Sequence, residues 1–439
     1  MKNPVPSHTP RREFLRTSAI LASTAALAPL ALERSVHAAG SNAIRIGLIG
    51  CGGRGTDAAI NAMNAGPDVR LVALADIFEE RLRASRERLQ KSKNAQVDVK
   101  DRCFVGFDAY EKLLNSDLDV VLIAAASHFH PRMLEAAVAA GKHVFCEKPH
   151  GIDIPGLKIS MAAADSAKQK GLSLVSGLCW RYDPGVRETM KRVHDGAIGD
   201  IVAIQENYLS SPYIVRERRA GQTEMEWQLW NWYHFNWLSG DQTAQQLIHS
   251  LDKSSWALRD IPPRKVYGLG GRQSAFDPKY GDQLDHQAVV FEYDRGVRVF
   301  GFTRDQADCH MDTNDYIFGT KGRCNLLNYI IEGETNWRYD KPRENMYDLE
   351  HAALFQSIRD GKPIHNGHYM CLSSALAIAA QIACYTGALL MWEDVMNSKR
   401  SFALPRYGWD VEPPVTPGPD GRYPTAMPGD AEYDQWRMR

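Results

Sequence analysis

Gly50, Gly52 and Gly55 stand at the spacing G-x-G-x-x-G, with Cys51, Gly53 and Arg54 between them. Glycine clusters also make ordinary tight turns, so spacing alone decides little. Here the cluster follows a β-branched apolar run, Ile44 to Ile49, and precedes a small-residue helical stretch containing Ala58, Ala59 and Ala62. That context suits a dinucleotide pyrophosphate. The first glycine allows the turn, the second lets backbone N–H groups approach the phosphates, and the third lets helix and strand pack closely. Asp76, closing the next apolar run, can accept bonds from ribose hydroxyls while its charge repels a 2′-phosphate. NAD is therefore expected over NADP. Arg81 is the residue that could tolerate the extra phosphate, although a helix arginine is ordinarily a solvated charge.

Cys146-Glu147-Lys148-Pro149-His150 is the second constellation, again at a strand end. A lysine after a buried strand usually snorkels to the surface. At the carboxyl edge of a parallel sheet, beside a bound nicotinamide, its pKa can fall and it can move protons.

The elements that must position these groups follow from periodicity. Ile44–Ile49, Leu71–Ala75, Asp119–Ala125 and His143–Cys146 read as strands buried on both faces. Helices alternate with them at Ala58–Met63, Glu79–Lys91 and Pro131–Ala140, the last stopped by Gly141. This is the pace of a parallel, doubly wound sheet. Leu172–Val175 reads as its last strand and Val186–His194 as a helix. Ile201–Tyr208, Lys265–Leu269, Ala288–Tyr293 and Val297–Thr303 alternate apolar and polar residues, the sign of a largely antiparallel sheet with one exposed face. Glu350–Arg359 and Leu372–Leu390 read as helices, and from Leu404 proline recurs as in an extended arm. The expected class is α/β: an N-terminal Rossmann domain over residues 39–170, then an α+β domain over 171–403 with a large, mostly antiparallel open sheet, then the arm 404–439.

Residues 1–38 read as an address. Arg11-Arg12-Glu13-Phe14-Leu15-Arg16 precedes an uncharged run from Thr17 to Leu32, and Val36-His37-Ala38 offers a small-residue cleavage pattern. The run is too short to span a bilayer comfortably, and no cysteine stands at the cleavage point for a lipid, so no stable membrane anchor is expected in the mature form. A twin-arginine signal carries a folded protein to the periplasm, so a soluble cofactor would have to travel tightly bound. The formal charge of −1, from 52 basic and 53 acidic residues, argues against nucleic acid as a partner. The eight cysteines are scattered without a C-x-x-C pair, which argues against a zinc ribbon.

With these motifs the chain resembles the glucose–fructose oxidoreductase, inositol dehydrogenase and rhizopine-catabolism (Gfo/Idh/MocA) oxidoreductases. The resemblance rests on Gly50-Cys51-Gly52-Gly53-Arg54-Gly55, Ser127-His128-Phe129-His130, Glu147-Lys148-Pro149 and Arg181-Tyr182-Asp183-Pro184. Ile364-His365-Asn366-Gly367-His368-Tyr369 also fits. It implies hydride transfer between a sugar, polyol or glycoside hydroxyl and tightly held NAD. Lys148 would contact the reacting oxygen, while Ser127, His128 and His130 would border the cofactor with Glu147 and Arg181. The family's second acid/base element is an aspartate with a histidine four residues on. His249 matches the histidine, whereas the aspartate position holds Gln245, which cannot take a proton. His249 would then act alone or with another partner. His128 and His130 could share an ion, yet no third ligand has suitable spacing, so no metal is expected.

Trp227, Trp230, Trp232 and Trp237 crowd a short stretch with Tyr233, His234 and Phe235. Much of this is core or interface. Aromatic faces also stack on sugar rings, which makes Trp232 and His234, with Tyr182, Gln245 and His249, candidates for the substrate wall. The alternative reading is a glycoside hydrolase working by transient NAD-mediated oxidation and elimination. A third is a sugar sensor retaining NAD as structure. A homodimer or homotetramer through the open sheet is expected.

Overall fold

β1 (Ile44–Ile49) runs through the centre of a parallel sheet, with Ile46 and Leu48 wholly buried. The computed structural model describes residues 43–429; the twin-arginine segment 1–38 and residues 430–439 lie outside the described residues. β1 is flanked by β2 (Val69–Asp76) and β4 (Val120–Ile123), and the sheet is completed by β3 (Cys103–Val105), β5 (His143–Cys146) and β6 (Leu174–Ser176). Among the described residues this sheet has six strands in the order β3-β2-β1-β4-β5-β6. That is the doubly wound dinucleotide-binding order, whose ligand crevice lies outside the carboxyl ends of the strands where the order reverses between β1 and β4. Helices cover both faces, which is why the strands read as continuous apolar runs. The helix His130–Ala139 buries Met133, Leu134, Ala137 and Val138, the face its spacing predicts.

β6 pairs in parallel with β5, so the first sheet reaches Ser176 and passes the boundary expected at residue 170. The helix Met346–Arg359 packs back on the helix Gly53–Asn64, so later chain also supports the nucleotide unit. A linear division at 170 therefore cuts through shared packing.

The second sheet has the order β14-β13-β12-β11-β7-β10-β9-β8-β15 among the described residues. Its strands are β7 (Ile201–Ser210), β8 (Lys265–Gly271), β9 (His286–Glu292), β10 (Arg298–Asp305), β11 (Asp312–Gly319), β12 (Gly322–Asn325), β13 (Ile330–Gly333), β14 (Trp337–Arg338) and β15 (Leu390–Met391). All pairings are antiparallel except β7 with β10. The helices Ile248–Ala257 and Gly367–Thr386 pack on this sheet. Val202, Leu269 and Phe318 remain exposed on its strands. Among the described residues the arm after Leu404 has no helix or strand, and it lies back on the first domain, Trp409 meeting Phe78 and Phe107.

Candidate functional site

The turn after β1 shows why four of its positions are glycine. Gly50 has φ +93°, a left-handed conformation that disfavours other residues. A Cβ on Gly55 would lie 1.9 Å from the Gly50 carbonyl oxygen, so helix and strand could not approach. At Gly52 and Gly53 a Cβ would meet nothing within 4 Å, because there a cavity of about 370 Å³ opens over the N-terminus of the helix Gly53–Asn64. The space, the backbone N–H groups and the helix end fit a pyrophosphate.

Asp76 lines the same cavity. Its Oδ2 accepts from Cys51 N at 2.6 Å and its Oδ1 from Phe78 N at 2.8 Å, which fixes the carboxylate between β1 and β2. Burial raises its pKa and these N–H bonds oppose the rise. Arg81 is held between the rings of Phe78 and Trp230, 4.8 and 4.3 Å away, and donates to the Trp230 carbonyl at 2.7 Å. Desolvation there lowers its pKa to about 10. Its guanidinium is thus packed between two rings at the wall of the cavity.

Arg54 turns toward carboxylates. Its Nε donates to Glu147 at 2.5 Å, while its two Nη atoms reach Asn61 and Glu350. Burial alone would lower its pKa, but Glu147 and Glu350 together raise it. Glu147, expected beside the cofactor, serves as the anchor of Arg54 and accepts the Lys148 N–H at 3.2 Å.

Lys148 follows β5, and its Nζ donates to the main-chain carbonyl of Gln245. Desolvation lowers its pKa against the opposing charge of Glu147. Gln245 sits in a π-helical turn, Thr243–Leu247, a distortion that frequently marks functional positions. Its Nε2 donates to Ser127 Oγ at 2.9 Å and to the Ser239 carbonyl. Ser127, Lys148 and Gln245 therefore meet, with Gln245 offering Lys148 a backbone oxygen in place of a side-chain carboxylate. His249 opens the next helix, half-buried, its ring stacked at 6.4 Å on Tyr208 and its Nδ1 buried without a hydrogen-bond partner. Burial pushes its pKa well down, and the charges of Lys148 and Lys253 push the same way. His249 is a neutral base with a free nitrogen.

Other candidates lie elsewhere. Arg181 is expected at the cofactor, but its Nε grips Asp252 at 3.0 and 3.1 Å and its Nη atoms hold Asp260. It stacks on Tyr369 at 3.9 Å in a buried ion cluster. His128 Nε2 lies 2.6 Å from the Tyr407 hydroxyl, facing the arm. His130 is a brace, with Nδ1 2.7 Å from the Pro149 carbonyl and Nε2 2.9 Å from that of Ala125. The Tyr182 hydroxyl donates to Asn366 at 3.0 Å, and burial raises its pKa to about 12. Trp232 lines the nucleotide cavity, stacked on Tyr233 at 3.9 Å, whereas His234 borders a separate cavity of about 170 Å³. Tyr233, Tyr208 and the arm residues Tyr407 and Trp409 join the surroundings of the site. The aromatic crowding around Trp230 signalled the first; nothing local signalled the others.

Known proteins are similar to this chain in sequence and fold. The model of the Gfo/Idh/MocA family, described as an oxidoreductase family with an NAD-binding Rossmann fold, matches residues 44–175. An inositol 2-dehydrogenase of Rhizobium meliloti is 28% identical over 306 residues, which is 68% of this chain and 81% of that protein. A myo-inositol 2-dehydrogenase of Thermotoga maritima is 30% identical over 263 residues, 59% of this chain and 73% of that protein. Among solved structures, apo scyllo-inositol dehydrogenase from Lactobacillus casei superposes with a TM-score of 0.60 at 20% identity, covering 80% of this chain and 98% of the other.

Proposed function

The chain belongs to the Gfo/Idh/MocA oxidoreductases, and on that premise we propose that it oxidises a secondary hydroxyl of a cyclic polyol or sugar using bound NAD. The observation that carries the proposal is the junction of Lys148, the Gln245 carbonyl and Ser127 beside an open pyrophosphate cradle. NAD supplies the hydride acceptor when bound, with Gly52, Gly53 and Asp76 holding it. Lys148, desolvated and oriented by Gln245, hydrogen-bonds the reacting oxygen and steadies its developing negative charge. The hydroxyl proton needs a base. Gln245 cannot serve, so the proton passes to Lys148 in its neutral form or to His249, whose Nδ1 is free. The inositol dehydrogenase relatives favour net redox chemistry over redox-assisted glycoside cleavage.

The test is direct. Denaturing the purified protein should release NAD, and a panel of inositols and sugars should include one that raises the absorbance of bound NADH. If no nucleotide is released and none binds when added, the reading fails.

We also propose that NAD is preferred and tightly retained in a periplasmic homo-oligomer. Asp76 supports the preference, and Asp76→Ser is expected to narrow it by about tenfold, measured as the ratio of NAD to NADP affinity. Retention is supported by two segments crossing near the adenosine side of the cavity: Trp409 on Phe78 and Phe107, and Arg219 paired with Glu80 at 2.6 Å. Trp409→Ala is expected to speed NAD dissociation several-fold, read by stopped-flow chase. Export is supported by Arg11-Arg12 and Val36-His37-Ala38. Fractionation of cells expressing Arg11→Lys/Arg12→Lys tests it, and unchanged periplasmic recovery would refute it.

A further inference from the structure

Beneath His249 lies a group of three fully buried ionisable side chains outside the nucleotide cavity. Lys253 is four residues after His249 on the same helix, so the two share a face. Glu206 is two residues before Tyr208 on β7, so these also share a face. The contacts therefore form two rungs: His249 stacks on Tyr208, and Lys253 meets the acids around Glu206. Glu206 is the register partner of Asp315 on β11, and Glu206, Asp315 and Lys253 are each fully buried.

Lys253 Nζ is 3.2 Å from Asp315 Oδ2 and donates to the His249 carbonyl at 2.8 Å, with the Trp180 ring 5.3 Å away. Neither oxygen of Glu206 meets a donor. Two ionised carboxylates on paired strands would leave one negative charge uncompensated in the core, with acceptor facing acceptor. A single proton between them removes the charge and supplies the missing donor. Burial and the Asp315 charge both raise the pKa of Glu206, opposed by Lys253. The other titratable groups around the pair are Asp252 from the helix, Tyr293 after β9, Tyr316 on β11 and Cys324 on β12, and Arg181 neutralises Asp252.

We propose that Glu206 and Asp315 share one proton, that their remaining charge holds Lys253, and that Lys253 is a positioning residue which fixes the turn carrying His249 and keeps its ring neutral. The role of His249 rests on the oxidoreductase reading; the shared proton does not. Gln245 offers His249 no carboxylate, and a cation one turn away disfavours its protonation, which leaves it a ready proton acceptor.

Two measurements decide the proposal, and neither needs turnover. The first is a thermal-unfolding cycle on full-length protein. Glu206→Gln and Asp315→Asn should each leave Tm nearly unchanged, because the remaining acid ionises to hold Lys253. The double variant should lose roughly 5–10 °C, since Lys253 is then unpaired. If each single variant raises Tm, both acids were ionised; if the double variant is also silent, both were protonated. Either result overturns the shared proton. The second measurement follows modification of His249 by diethyl pyrocarbonate, which takes the neutral ring, across pH by mass spectrometry. In Lys253→Met/Asp315→Asn, which removes the ion pair whole, the midpoint should rise by a few tenths of a pH unit, because the cation nearer to His249 and the carboxylate beyond it are lost together. An unmoved midpoint overturns the link to His249. Failure of every polyol to reduce bound NAD would sink the functional reading without touching either result.

Discussion

Lys148→Met should slow reduction of bound NAD by about 10²–10⁴-fold while nucleotide content stays at the wild-type level. The range is what removal of a positioned proton-transfer group ordinarily costs. Methionine keeps the length and most of the volume of the stem, so β5 and its turn need not repack. Lys148 is not among the residues lining the nucleotide cavity, whereas Gly52, Gly53 and Asp76 are. Binding and chemistry therefore separate at this residue. The Gln245 carbonyl loses its donor from Lys148, but its side chain stays anchored on Ser127 and the Ser239 carbonyl, which holds the π-turn. Single-turnover absorbance at the reduced nicotinamide band, with nucleotide counted after denaturation, reads both quantities. Unchanged turnover on an identified polyol would remove Lys148 from the chemistry and leave His249 as sole candidate.

The placement of Lys148 at the carboxyl end of β5 was legible because its signals are local: a buried strand, a turn and a motif are contiguous. The same holds for the first sheet. β1, β2, β4 and β5 are covered on both faces and so appear as uninterrupted apolar runs, whereas β3 spans three residues and gives no period. The helix Ile154–Gln169 was hidden by Pro155, which is tolerated in the first turn, where Asp153 caps the Gly156 N–H at 2.7 Å. In the second sheet the strands that alternate cleanly, β8 to β10, were readable. β11 was not, since Asn314 and Asp315 are buried polar residues that break the apolar pattern.

The site residues that the structure finds on distant partners have one physical cause. A charged or aromatic side chain at a strand end is read as facing the ligand until its partner is known, and those partners lie far along the chain. Arg181 finds Asp252 and Asp260, 71 and 79 residues on. His128 finds Tyr407, 279 residues on. Each was drawn toward the cofactor by motif position and is claimed in the fold by a contact no local pattern encodes. The glycines escape this ambiguity because they have no side chain to be claimed.

Gly52→Ala and Gly55→Ala should accordingly fail in different ways, and the difference tests the cradle. At Gly52 the added methyl meets no protein atom within 4 Å, and the backbone there is extended. Thermal stability of the nucleotide-free protein should then change little, or rise by a few tenths of a kcal/mol through reduced freedom of the unfolded chain. The methyl projects into the space where a pyrophosphate must touch backbone, so NAD affinity should fall by about 10–100-fold. At Gly55 the methyl would stand 1.9 Å from the Gly50 carbonyl and 3.3 Å from Ala124 Cβ. The helix must move off β1 to admit it, at a cost of about 1–3 kcal/mol of stability even without nucleotide, and the N–H groups that face the phosphates move with it. Isothermal titration with NAD and unfolding of the nucleotide-free variants distinguish the two. A Gly52→Ala protein that binds NAD at wild-type strength would place the pyrophosphate elsewhere. A Gly55→Ala protein of unaltered Tm would mean that β1 and its helix are not in the close contact on which the whole site is built.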